Sequence, residues 1–231
     1  MEKILELENV VKTYTKGDEK INALAGVNLS ITKGEFTALV GPSGSGKTTL
    51  LNIIGCLDSP TLGNIYYNGS LLSNLTENEL SDYRKEHISF IFQSFNLIPV
   101  LTVRENVELP LVIEQKLSKE EIKARADDIL KAVGLKGKED RFPRELSGGQ
   151  EQRVAIARAL VKEPFIILAD EPTANLDSHT AEEIIDIMKN INSTRNATFI
   201  FSTHDLLVQK HARRVITIRD GFIHSDAKKE E

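Results

Sequence analysis

The sequence predicts an α/β protein: a mainly parallel sheet with helices on both faces, an antiparallel β piece at the N-terminal end, and an inserted all-helical lobe. Three observations carry this reading. Short apolar runs at 36–40, 88–92, 165–169 and 197–202 are separated by helical or helix-bearing stretches, the alternation from which a parallel sheet is built. Residues 4–31 instead alternate apolar and polar positions in strand-like pieces, as a half-buried antiparallel sheet does. From 103 to 133 the spacing is helical and no strand pattern interrupts it.

Taken in order, Ile4, Leu5, Leu7, Val10 and Val11 stand among charged residues, and 21–24 and 27–31 continue as short strand-like pieces. Residues 36–40 are wholly strand-like and stop at Gly41, and a helix is expected from about 47 to 55. Residues 63–69 have strand character ending in an Asn68-Gly69 turn, 77–85 read as helix, and 88–92 form a buried strand stopping at Gln93. Ser118-Lys119-Glu120-Glu121 offers a capping-box start within the helical stretch. One domain is expected, with 94–160 as its helical lobe and 1–93 plus 161–231 as its sheet-bearing remainder. The apolar run 165–169 fits a central parallel strand covered on both faces. A helix at 178–192, a strand at 197–202, a short helix after His204 and a hairpin through Asp220-Gly221 complete the pattern. Residues 228–231 read as a frayed, solvated end.

Composition narrows the function classes. Among 231 residues, 29 Lys plus Arg stand against 34 Asp plus Glu, a net charge of −5, which argues against a nucleic-acid polymer as the main ligand. The single cysteine, Cys56, cannot form an internal disulfide and reads as a buried small hydrophobe at a helix end. The five histidines show no metal-ligand spacing, so zinc is not indicated. The N-terminus lacks the apolar core of a signal peptide, and no run approaches the roughly 18 apolar residues of a membrane span. A cytosolic location is expected, with any membrane contact made through a partner.

Two Gly-rich helix starts carry the chemistry. Gly41-Pro42-Ser43-Gly44-Ser45-Gly46-Lys47-Thr48 matches the P-loop pattern, in which backbone N–H groups wrap the α- and β-phosphates, the lysine reaches the β- and γ-phosphates and the hydroxyl of Thr48 holds Mg²⁺. Thr49 follows in the same turn. The strand before and the helix after argue against a mere glycine-rich turn. Asp170 and Glu171 close the apolar strand at 165–169, at the strand end where α/β sheets place ligands. One carboxylate there completes a Mg²⁺ shell and the other activates water, so Asp170 is expected as the metal residue and Glu171 as the catalytic base. Gln93 reads either as a polar strand terminus or as a neutral amide reaching metal or water. His204 reads either as a structural hydrogen-bond former or as a contact for γ-phosphate and attacking water. The second helix start, Leu146-Ser147-Gly148-Gly149-Gln150, reads either as an ordinary cap, Ser147 being a good one, or as a second phosphate cradle.

Together these motifs resemble the nucleotide-binding subunit of ATP-binding cassette (ABC) proteins over essentially the whole chain. The resemblance implies the ABC ATPase fold, with a P-loop NTPase core, an antiparallel β subdomain and a helical signature subdomain. By it, 41–48 is Walker A, 165–170 Walker B, Gln93 the Q-loop, 146–150 the signature, Asn175-Leu176-Asp177 the D-loop and His204 the switch histidine, while Tyr14 sits where an aromatic side chain stacks on adenine. It implies ATP and Mg²⁺ as ligands, and a head-to-tail homodimer trapping each ATP between one chain's Walker A and the other's Ser147, Gly148, Gly149 and Gln150. Integral-membrane permease subunits are the implied partners, from the inner face of the membrane. Glu151, where many relatives carry Gln, is a departure that puts an acid near the phosphate end. Residues 54–58, 95–99, 105–110 and 169–177 resemble the lipoprotein-releasing LolD and macrolide-exporting MacB branch. A soluble ABC ATPase serving a non-membrane partner, as in iron–sulfur cluster assembly, is the alternative. A small-molecule kinase would account for 41–48 but not for 146–150.

Overall fold

The computed structural model describes residues 2–17 and 19–229. The N-terminal alternation folds as expected, though as two long strands rather than several short pieces. β1 (Lys3–Lys16) and β2 (Glu19–Thr32) pair antiparallel from Lys3↔Thr32 to Lys16↔Glu19, with register shifts that let each strand bend without ending. β4 (Leu62–Tyr67) adds to the other side of β1 and turns through Asn68 and Gly69, both at positive φ, into the two-residue β5 (Ser70–Leu71).

The main sheet is built from β3 (Phe36–Val40), β6 (Ile88–Ile91), β7 (Ile166–Asp170), β8 (Phe199–Ser202), β9 (Arg214–Arg219) and β10 (Phe222–Lys228), in the order β10-β9-β3-β8-β7-β6. All neighbours are parallel except the β9–β10 hairpin. Period-two side-chain direction divides this sheet between two cores. Ile167 and Ala169 of β7, with Phe199 and Phe201 of β8, face one core; Ile166, Leu168 and Ile200 face the other. The first core is closed by α3 (Val103–Glu114), α4 (Lys119–Ala132), α5 (Gly148–Leu160) and α6 (Ser178–Arg195). The second is closed by the antiparallel sheet with α1 (Lys47–Ile54) and α2 (Glu77–His87). α7 (Leu206–His211) follows β8.

Register places the chemistry. Leu39 of β3 pairs with Ser202 of β8, and Ser202 with Asp170 of β7. The loop leaving β3, the segment leaving β8 and the two carboxylates leaving β7 therefore emerge together at the carboxyl edge.

Two expectations change. The C-terminal end is tied down rather than frayed as far as Lys229, because β10 continues to Lys228, the Lys229 amide donates to the Arg213 carbonyl at 2.8 Å, and Lys229 Nζ donates to the Gln209 and Lys210 carbonyls. Glu230 and Glu231 lie outside the described residues. Ser147, expected as a good N-cap, makes no side-chain capping hydrogen bond. Cys56 is buried as expected, and burial pushes its thiol up to about 12.

Candidate ATP-binding and hydrolysis site

The P-loop is shaped by backbone that only glycine accepts easily. Gly46 caps α1 at φ 106, and a Cβ there would stand 2.5 Å from the Ala23 carbonyl of β2; at Gly41, φ 150, it would stand 2.1 Å from the Ile218 carbonyl of β9. The loop is thus pressed between the two sheets. No side chain caps α1, so its first N–H groups are left without a side-chain partner, the arrangement that accepts a phosphate. Lys47 Nζ lies across the loop, donating to the Gly41 and Pro42 carbonyls at 2.8 and 3.0 Å.

One cleft of about 610 Å³ is lined by Gly41, Ser43, Gly44, Gly46, Lys47, Thr48, Thr49, Gln93, Asp170, Glu171 and His204. Residues from four places in the sequence therefore meet. Glu171 sits at φ 46, a left-handed conformation that costs a non-glycine residue energy. Its carboxylate accepts from the Thr203 hydroxyl at 2.9 Å, the His204 amide at 3.2 Å and the ring at His204 Nδ1 at 2.6 Å. The 2.6 Å contact has the geometry of a hydrogen bond between the His204 ring and the Glu171 carboxyl.

The donor set also fits Mg²⁺. Thr48, Gln93 and Asp170 bring oxygen ligands to the cleft, while among the described residues no group of three or more His, Cys, Asp or Glu forms a protein cage. Mg²⁺ is ordinarily held by one or two carboxylates together with substrate phosphates and water.

Other predicted residues lie elsewhere. Pro42 and Ser45 belong to the loop backbone and do not line the cleft; Ser45 is buried, and its hydroxyl has no protein partner. Tyr14 is exposed on β1 and does not line the cleft either. Its hydroxyl donates to Asp58 Oδ2 at 2.7 Å, and Lys12 Nζ, itself paired with Asp58, stands 5.0 Å from the ring centroid. Burial works to raise the Asp58 carboxyl, but hydrogen bonds from Lys12 and Tyr14 outweigh it and hold the group below its ordinary value.

Ser147, Gly149 and Gln150 line a separate recess of about 280 Å³ that shares no residue with the P-loop cleft. Gly148 leaves room there, with the nearest atoms to a Cβ at 3.7 Å, whereas a Cβ on Gly149 would stand 2.4 Å from Thr180 of α6. Glu151 borders this helix start, and burial holds its carboxyl above its ordinary value.

The sequence reading missed several residues around the cleft. Ile21, Asn22 and Ala23 of β2 line it, as does Ser202; the alternation of 19–32 marks a strand but not what the strand lies over. Arg158 of α5 was passed over as part of a helix. It donates to the Asn96 and Phe95 carbonyls at 2.6 and 2.8 Å, holding a pair of residues at φ 51 and 55 just beyond Gln93. Asn175 Nδ2 donates to the Gln93 carbonyl at 2.9 Å, so 93 and 175 are joined although 82 positions apart.

Comparison with known proteins bears on the same residues. The family model described as "ABC transporter" matches residues 24–174. The ABC transporter ATP-binding protein MJ0796 of Methanocaldococcus jannaschii is 49% identical, over 97% of this chain and 97% of its own length. The macrolide export ATP-binding/permease protein MacB of Escherichia coli is 45% identical over 98% of this chain, which spans only 35% of MacB. Among solved structures, the dimeric post-hydrolysis state of MJ0796 bound to ADP and Pi superposes with a TM-score of 0.88 at 47% identity, covering 99% of this chain and 100% of that one. The cbiO1 cassette of Clostridium perfringens, part of the cbiONQ transporter complex, also gives 0.88, at 30% identity over 99% and 89% of the two chains. With a phosphate-binding helix start, two carboxylates and a histidine meeting in one cleft, the chain belongs to the ABC transporter family and is its ATP-binding cassette, an ATPase.

Proposed function

We propose that ATP lies along Gly41–Thr49 with its γ-phosphate toward Glu171 and His204, and that the Ser147–Gln150 start of α5 from a second copy closes over it. The observation that carries this is the Glu171–His204 contact at 2.6 Å within the cleft that Lys47 and Thr48 line. Lys47, released from the Gly41 and Pro42 carbonyls, exchanges those two bonds for phosphate oxygens. Thr48, Asp170 and the Gln93 amide would hold Mg²⁺, which when bound neutralises phosphate charge. Glu171 takes the proton of the attacking water. A carboxylate offers about four acceptor sites, and Thr203 and His204 occupy three of them, so it is held rigidly yet retains room for a water. His204, its Nδ1 tied to Glu171, presents Nε2 for γ-phosphate or water. Tyr14, braced by Asp58, offers its ring to adenine from the rim.

The same reading assigns 94–160 as the helical lobe that docks a permease. Val100, Val112 and Ile113 are exposed apolar side chains on that segment, and MacB carries cassette and permease in one protein. No helix among the described residues is long and apolar enough to cross a membrane; in this reading a permease of the LolD or MacB kind supplies the span, and the cassette sits on the inner face of the membrane through it.

The test is Glu171→Gln. It removes the base while leaving both cradles, so MgATP should convert the variant from monomer to a stable dimer in size-exclusion chromatography, with turnover lost. A variant that stays monomeric at saturating MgATP overturns the shared-site reading.

A further inference from the structure

The helix that opens at Ser147 also carries a buried side chain whose presence packing does not explain. Gln152 is fully buried, followed by the buried run Val154, Ala155 and Ile156. Its Oε1 has no protein hydrogen-bond partner. Burying an amide with one end unsatisfied is unfavourable, and an apolar residue of similar volume would fit without that cost, so a gain elsewhere must offset it.

The other end of the amide shows where. Gln152 Nε2 donates to the carbonyl of Pro172, the residue that follows Glu171, at 2.7 Å. Proline has no N–H, so this carbonyl is the one hydrogen-bonding group its backbone offers. The turn it belongs to holds Glu171 at φ 46 and is braced at other points by Thr173 Oγ1 donating to Asp205 Oδ2 at 2.7 Å and by the Ala174 amide donating to the Glu171 carbonyl at 3.2 Å. Only the Gln152 bond comes from α5, and it leaves that helix two residues beyond Gln150.

We propose that Gln152 is a positioning residue that couples the signature end of α5 to the Glu171 turn, so that engaging a second copy's nucleotide at Ser147–Gln150 sets the catalytic carboxylate of the same chain. This rests on the reading of Glu171 as the base. The link is short and stiff: a helix start, one buried side chain and one hydrogen bond to a strained turn. A shift of α5 on closure displaces the Pro172 peptide and with it the direction in which Glu171 points. Each chain's grip on its partner's ATP thereby conditions hydrolysis of its own.

Gln152→Met tests this, because it keeps the volume and removes the donor. Turnover per site should fall about tenfold, while KM for ATP stays within roughly twofold and the melting temperature changes little, since losing the unpaired oxygen offsets leaving the Pro172 carbonyl without its donor. The double variant with Glu171→Gln should still dimerise on MgATP. Gln152→Leu should behave alike. Unchanged kcat in a folded Gln152→Met protein overturns the coupling. A joint loss of kcat, ATP affinity and melting temperature, or failure of both variants to fold, shows a packing role and overturns it as well. The two readings fail separately: turnover retained by Glu171→Gln removes the base, whereas turnover lost there but kept in Gln152→Met removes only the link.

Discussion

The helix starts of α1 and α5 share a rare property and differ in everything around it. Elsewhere Thr76, Thr102, Ser118 and Asp177 accept from the first turns of α2, α3, α4 and α6; α1 and α5 have no such side chain. Around α1 stand a lysine, two carboxylates, a glutamine and a histidine. Around α5 stand Lys138, Arg153 and Glu183, and Arg153 is already committed to Glu183 at 2.7 Å and the Val133 carbonyl at 3.1 Å. One start is a site with its own chemistry. The other has no group with which to activate water, which is why the proposed reading has it complete a site only when set against another copy's P-loop.

The comparison breaks most readily at Lys47. Lys47→Ala should lower ATP hydrolysis by about three orders of magnitude or more, measured as phosphate release; retained turnover would remove α1 as the reacting site. Gly148→Asp probes the other start. A Cβ there would make only ordinary contact with Leu176 and Phe95, at 3.7 and 3.9 Å, so the protein should fold, and fluorescent-nucleotide titration of the monomer should give an affinity within about twofold of the parent. ATP-driven dimerisation in the Glu171→Gln background should vanish, because a carboxylate now faces the partner's phosphates. Weakened binding by the monomer would mean that the two starts are not separate sites. The smallest effect concerns the caps. Ser118→Ala, which removes one arm of a complete capping box, should lower the melting temperature by about 2–4 °C. Ser147→Ala should leave it unchanged in thermal unfolding, since Ser147 Oγ caps nothing in the single chain; an equal drop would restore the ordinary-cap reading.

Much of this was legible along the chain. The strands at 36–40 and 165–169, the capping box at Ser118, and the Asn-Gly and Asp-Gly turns are written in neighbouring residues, because period-two burial, side-chain caps and positive-φ turns are local effects. Ser147 misled on the same ground: its residue type favours capping, but whether its hydroxyl turns to the N–H groups depends on the surroundings of α5. Gln152 and Arg158 were invisible for a related reason, as was the contact that the D-loop residue Asn175 makes with Gln93. Gln152 and Arg158 look like ordinary polar residues until the fold sets them beside Pro172 and Phe95.

By itself the sequence determined the phosphate-binding loop, the paired carboxylates, the second glycine-rich helix start and the α/β class, since each needs only a short run of residues in the right order. Only the tertiary structure decided that Leu39, Ser202 and Asp170 share one register, that His204 and Thr203 hold Glu171, and that α5 is joined through Gln152 to the turn after Glu171. Strand order and helix placement follow from burying both faces of one sheet at once, a condition that couples residues far apart in the chain and leaves no mark in any short segment.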